Sequence, residues 1–145
     1  MTNLERIGQI GEQIVQNVYG GSLSENKYDS IKDLVLDDGT YVEVKTQPRW
    51  QIENCFTLDY YKKVNFNKCL KVDKLIFVEP TKSGYINIYE APEKGNRFFY
   101  EKDVGKNKRY CIKVSDCKLV KRLYLPEENN ELMNLTRTPI RFLSN

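Results

Sequence analysis

The run Asp33-Leu34-Val35-Leu36-Asp37-Asp38-Gly39-Thr40-Tyr41-Val42-Glu43-Val44-Lys45 constrains the fold of this chain more than any other part of it. Asp37-Asp38-Gly39 is a turn-forming tripeptide, flanked on both sides by residues suited to strands. The pattern is that of a tight β-hairpin. With Asp37, Asp38 and Gly39 in the loop, Leu36 faces Thr40, and counting back sets Asp33 opposite Glu43. Side chains alternate between the two faces of a strand. Glu43 and Lys45 therefore point one way, while Val42 and Val44 point the other, into the core with Leu34. Two carboxylates and an ammonium would converge on one small patch, able to hold a hard divalent cation and steady an anion beside it. The same residues would also make a solvated cross-strand ion-pair ladder.

The chain has no histidine. This removes the commonest general base and the commonest zinc ligand, and it excludes Ser-His and Cys-His catalysis within one chain. Carboxylate–metal and lysine chemistry remain. The four cysteines, Cys55, Cys69, Cys111 and Cys117, include no C-x-x-C pair. Reduced, mostly buried thiols are expected rather than a zinc ribbon.

Asp33, then nine residues, then Glu43-Val44-Lys45, resembles the PD-(D/E)XK nuclease core, also called the restriction-endonuclease-like fold. The likeness covers about the first half of the chain: an N-terminal helix carrying Glu12, the hairpin, and Gln47 just after Lys45. Lys32, not Pro, precedes Asp33. The resemblance implies an α/β fold with a central mixed sheet flanked by helices. It also implies a metal-dependent DNA endonuclease using Mg²⁺ or Mn²⁺. Asp33, Glu43, the Val44 carbonyl and Glu12 would hold the ion. Lys45 would orient or help deprotonate the attacking water, and Gln47 would hydrogen-bond the scissile strand. Asp29 stands on the same face by parity and is the alternative to Asp33. The small size resembles Holliday-junction resolvases of phages and archaea, which implies a homodimer acting on branched or double-stranded DNA. A restriction- or homing-type endonuclease, a single-strand or end-trimming nuclease, and a catalytically silent DNA-binding module stay open.

At 145 residues a single domain is expected, its core at about 1–90, with a basic loop and C-terminal strands at 91–145. The chain is 40% apolar and 30% charged, a globular composition, and its net charge of +3 permits nucleic-acid binding. No apolar run approaches a membrane span and no signal-peptide pattern is visible, so a cytoplasmic protein without a membrane partner is expected.

Helical spacing of Leu4, Ile7, Gly11, Ile14 and Val18 predicts a helix over 3–19, capped by Asn3 and ended by Gly20-Gly21. Gly8 and Gly11 on or beside its apolar stripe predict a close backbone approach. Strands are expected at 50–58, 75–78, 85–89 and 109–114, and a helix at about 59–70. Residues 119–125 read as an edge strand or short helix, and the segment after Pro126 as a polar turn or weak helix start. Residues 92–109, rich in Lys, Gly, Asn and Glu, read as a mobile loop. Basic residues cluster with aromatics twice. One group is Arg49, Lys62, Lys63, Lys68, Lys71 and Lys74 with Trp50, Tyr60 and Tyr61. The other is Lys94, Arg97, Lys102, Lys106, Lys108 and Arg109 with Phe98, Phe99 and Tyr100. Both suit phosphates and unpaired bases.

Overall fold

A computed structural model describes residues 2–24, 33–48, 54–59, 72–93, 98–104, 107–126 and 130–136, of which 59, 104, 107 and 108 by backbone alone. The chain opens with α1 (Asn3–Tyr19). Its N-cap is Thr2 rather than Asn3: the Thr2 hydroxyl accepts the Glu5 N–H at 3.1 Å, so Asn3 is already the first helical residue. Gly20 closes the helix, its N–H donating to the Gln16 carbonyl at 2.7 Å. Ile7, Gly11, Ile14 and Val15 are buried along one side.

Two strands, β1 (Ser22–Leu23) and β2 (Leu34–Val35), lead into β3 (Tyr41–Thr46). The β2–β3 turn has the expected loop. Leu36 N–H donates to Thr40 at 2.9 Å, the Asp38 carboxylate accepts the Thr40 N–H, and Gly39 takes φ 88°, which an L side chain would resist. Leu34 pairs with Val42 and Val35 with Tyr41. The expected register therefore holds.

After β3 come β4 (Cys55–Asp59), β5 (Lys74–Pro80) and β6 (Tyr85–Glu90). Then follow β7 (Tyr100–Val104), β8 (Asn107–Lys113), a 3₁₀ turn (Val114–Asp116), β9 (Lys118–Tyr124) and α2 (Glu131–Thr136). Six strands form one sheet in the order β1-β2-β3-β5-β6-β9; β4, β8 and β7 form a second. In the larger sheet β3 and β5 run parallel and the other pairs antiparallel, so the protein is α/β with a mixed sheet. Strand β9 joins the main sheet beside β6, so Lys118–Tyr124 belongs to the same layer as the hairpin.

Several expectations need correction. The segment 92–109 is not one loop: β7 and the start of β8 form an antiparallel hairpin within it. Its Lys and Asn residues mimic loop composition, yet Tyr100, Lys102 and Asn107 sit in paired strands. The strand expected at 50–58 is described only from Cys55. The helix expected at 59–70 lies outside the described residues, apart from Asp59, which ends β4.

The main sheet has a different cover on each face. On one face Ile7, Ile14 and Val15 of α1, with Leu132 of α2, bury Leu34, Val42, Val44, Ile76, Val78, Ile86 and Ile88. Gly11 permits this contact, because a Cβ there would collide with the Thr46 hydroxyl. Gly8 has no such neighbour. A bidentate Arg6–Glu131 pair, 2.8 Å on each arm, ties α1 to α2. On the other face the second sheet, not a helix, does the covering among the described residues. Phe56, Leu58 and Ile112 pack on Leu75, Phe77 and Tyr89, with Phe56 and Phe77 stacked at 4.4 Å.

Candidate active site

Strand β3 carries the candidate site, and its two faces part the functions. Val42 and Val44 enter the α1 core. Glu43 and Lys45 project from the opposite face, where β3 borders the second sheet. Glu43 is 2% exposed, and its Oε1 lies 3.1 Å from the Nζ of Lys45, whose side chain is 26% exposed. A solvated ion-pair ladder does not describe this arrangement, because the carboxylate is out of water. A buried carboxylate is tolerated only with good partners, and such a pair is weak as a source of stability.

Asp33 follows the register to a place opposite Glu43, but it leaves the regular ladder there. Its N–H donates to the Val42 carbonyl at 2.8 Å. Its Oδ2 accepts the Val44 N–H at 3.0 Å, and its own carbonyl accepts the Ser24 N–H at 2.9 Å. The side chain thus takes a place that a backbone carbonyl would fill in a longer ladder. Among the described residues, β3 beyond the Leu34–Val42 pair is held on this side by the Asp33 carboxylate.

Glu12 is half-buried on α1, next to Gly11. Helix α1 packs on the Val42–Val44–Thr46 face of β3 through Ile14, Val15 and Gly11. Among the described residues, no three aspartate, glutamate or cysteine side chains gather to hold a metal ion. The structure brings Asp33, Glu43 and Lys45 onto neighbouring positions of the hairpin. Asp29 lies outside the described residues.

Gln47 is buried, and its side chain is fully engaged with β4. Its Nε2 donates to the Cys55 carbonyl at 3.1 Å, and its Oε1 accepts the Thr57 N–H at 2.9 Å and the Thr57 hydroxyl at 3.0 Å. One carboxamide thus meets a carbonyl and an N–H two residues apart on the rim of the second sheet, as a neighbouring strand would. Arg109 extends the chain of contacts, its Nη1 donating to the Thr57 hydroxyl at 3.3 Å. Sequence reasoning placed Gln47 on the correct face and missed this partner, because β4 comes to it only through tertiary packing.

Lys102 and Arg109 stand directly opposite each other on β7 and β8, with Asp59 opposite Arg109 on its other side. Phe98 and Tyr100 are exposed nearby, whereas Phe99 packs against the second core cluster. Of the first basic group only Lys74 is described, and it pairs with Glu90 at 3.2 Å. Cys55, Cys111 and Cys117 are free thiols, the first two buried. A hydrogen bond from Cys111, with help from the charge of Lys102, pulls Cys55 down to about 6. No helix among the described residues is long and apolar enough to cross a membrane.

The donor chemistry at Asp33 and Glu43, hard anionic oxygens beside an ammonium, fits a small hard cation and an anionic substrate. No family model matches this chain, and no curated protein matches it.

Proposed function

We propose that the protein is a divalent-metal-dependent DNA endonuclease of the PD-(D/E)XK type, with a restriction-endonuclease-like fold. The observation that carries this reading is the buried Glu43, paired with a half-buried Lys45 and in register with Asp33. A fold keeps a costly charged pair at such a place when chemistry needs it, and the pattern is the one the resemblance led us to expect. Asp33 and Glu43 would hold Mg²⁺ or Mn²⁺, with the Val44 carbonyl beside them and Glu12 of α1 completing the site. When bound, the ion would neutralise the phosphate and lower the pKa of a water.

The chain's own residues would do the rest. Lys45, at the open side of the pair, would orient the attacking water and offset charge growing on the phosphate. Gln47 would act as a positioning residue, holding the end of β3 against β4. The substrate would be double-stranded or branched DNA, as for Holliday-junction resolvases, and a homodimer would set two such sites on two strands.

A second reading has its own observation. Asp33 Oδ2 is taken by the Val44 N–H and Glu43 Oε1 by Lys45, which suits a catalytically silent DNA-binding module. Incubating supercoiled plasmid, branched DNA and single strands with Mg²⁺, Mn²⁺ or EDTA separates the two. The nuclease reading expects metal-dependent cutting by the wild type and none by Lys45→Ala, with DNA binding retained. Equal cutting by Lys45→Ala, or no cutting of any substrate by the wild type, overturns it.

A further inference from the structure

The same face of the main sheet carries a second surface, one that the proposed reaction does not use. Continuing the β3–β5 register by one residue sets Gln47 beside Glu79. The ladders then run from Glu79 to Asn87 and from Asn87 to Arg122. A polar row thus crosses β3, β5, β6 and β9, with the Asn87 Nδ2 donating to the buried Glu79 carboxylate at 2.8 Å. Two residues further along, Tyr85 lies opposite Tyr124 on β6 and β9.

These rings are open to solvent: Tyr85 is 38% exposed and Tyr124 60%. Their centroids are 5.1 Å apart with the planes inclined at 54°. The guanidinium carbon of Arg122 sits 4.2 Å from the centre of the Tyr85 ring. Scattered surface tyrosines need no explanation. Two in contact, with an arginine fixed over one, form a rigid amphipathic ledge. On the strand that carries it, Lys118–Tyr124, Arg122 shares the face of the ledge, whereas Lys118 and Lys121 lie opposite Glu90 and Ile88 on the other face.

The geometry points to a stacking platform for an unpaired base of a DNA strand, with Arg122 beside it to meet a phosphate. Bases in a duplex hide their faces in the stack, whereas an unpaired base offers one to an aromatic ring, and Arg122 on the same face complements the phosphodiester. A protein partner would gain little from a strand whose charges are all of one sign unless it were acidic. From strand spacing and rise, Tyr124 lies about 20 Å from Lys45 on the same face of the sheet. This inference rests on the DNA reading above and adds the form of the substrate: DNA with unpaired nucleotides beside the cut.

The test is binding of a short fluorescein-labelled oligothymidylate, and of a blunt duplex of equal length, by anisotropy in EDTA. The variants are Tyr124→Ala, Tyr85→Ala, Tyr124→Phe and Arg122→Gln, each checked for wild-type melting. Tyr124→Ala and Tyr85→Ala should each weaken the single strand about tenfold and leave the duplex nearly unchanged. Tyr124→Phe should bind as wild type. Wild-type single-strand affinity in both alanine variants overturns the platform, even if Lys45-dependent cleavage is found. Tyr124-dependent binding without any cleavage upholds the platform and removes the nuclease. A Tyr124→Ala change that only splits a dimer in sedimentation, with binding intact, also overturns it.

Discussion

Strand β3 shows two different economies on its two faces. Toward α1 it presents Val42, Val44 and Thr46, packed so closely that the helix needs a glycine at position 11. Toward the second sheet it presents Glu43, Lys45 and Gln47, no less buried at Glu43 and Gln47 but polar throughout. The first face is where burial stabilises: each aliphatic side chain there contributes about 1.5–3 kcal/mol by leaving water. The second face must spend hydrogen bonds and an ion pair to offset desolvation, and a set of aliphatic residues would fill the same space at less cost. A single strand thus separates what holds the molecule together from what the molecule is proposed to use.

The contrast breaks most sharply with a double replacement, Glu43→Leu with Lys45→Met. It should abolish DNA cleavage while the protein melts at or above the wild-type temperature. A marked fall in melting temperature would make the polar face a stability element and erase the distinction. On the opposite face, Val42→Ala should lower unfolding free energy by about 2 kcal/mol in urea titration. Cleavage per folded molecule should stay unchanged. Loss of activity in the folded fraction would show that the two faces are coupled.

Gln47→Ala tests the seam between the sheets. It leaves the Cys55 carbonyl and the Thr57 N–H without their partner, and should cost about 1–3 kcal/mol. A difference hydrogen-exchange map should place the extra exchange in β4 and not in α1.

The smallest effect is expected at Tyr19, on the helix side. Burial first, and then the hydrogen bond to Glu90 at 2.7 Å, raise its pKa well beyond the usual tyrosine range. The folded state keeps that proton where the unfolded chain releases it. The contribution is therefore complete below pH about 10 and declines as pH rises above it. Tyr19→Phe should flatten this part of the alkaline stability curve; an unchanged slope would assign the titration elsewhere.

Much of this was legible in the chain, for a physical reason. The hairpin from Asp33 to Lys45, α1 and the β5–β6 pair are local, so periodicity and turn chemistry specify them. Gly11 signalled a close approach because a glycine on an apolar helical stripe has few other uses. Within the second sheet β7 and the start of β8 were hidden, because the spacing of Tyr100 and Lys102 is too weak to overcome a loop-like composition, whereas strands were expected at 50–58 and 109–114. At the site, the side of β3 taken by Glu43 and Lys45 followed from alternation alone. The capture of Asp33 by the Val44 N–H and of Gln47 by β4 did not, since both depend on where the strands part and on which distant segment arrives. For Glu12, helical spacing gives the row it occupies, not the side of the sheet on which the helix lands.

The carboxamide of Gln47 has one more effect. Sheet margins invite foreign strands, and this side chain occupies the β4 margin of the smaller sheet at Cys55 and Thr57. An incoming polypeptide would have to evict it before it could zip on, which closes that route to amyloid-like growth and leaves β7 as the vulnerable border of that layer.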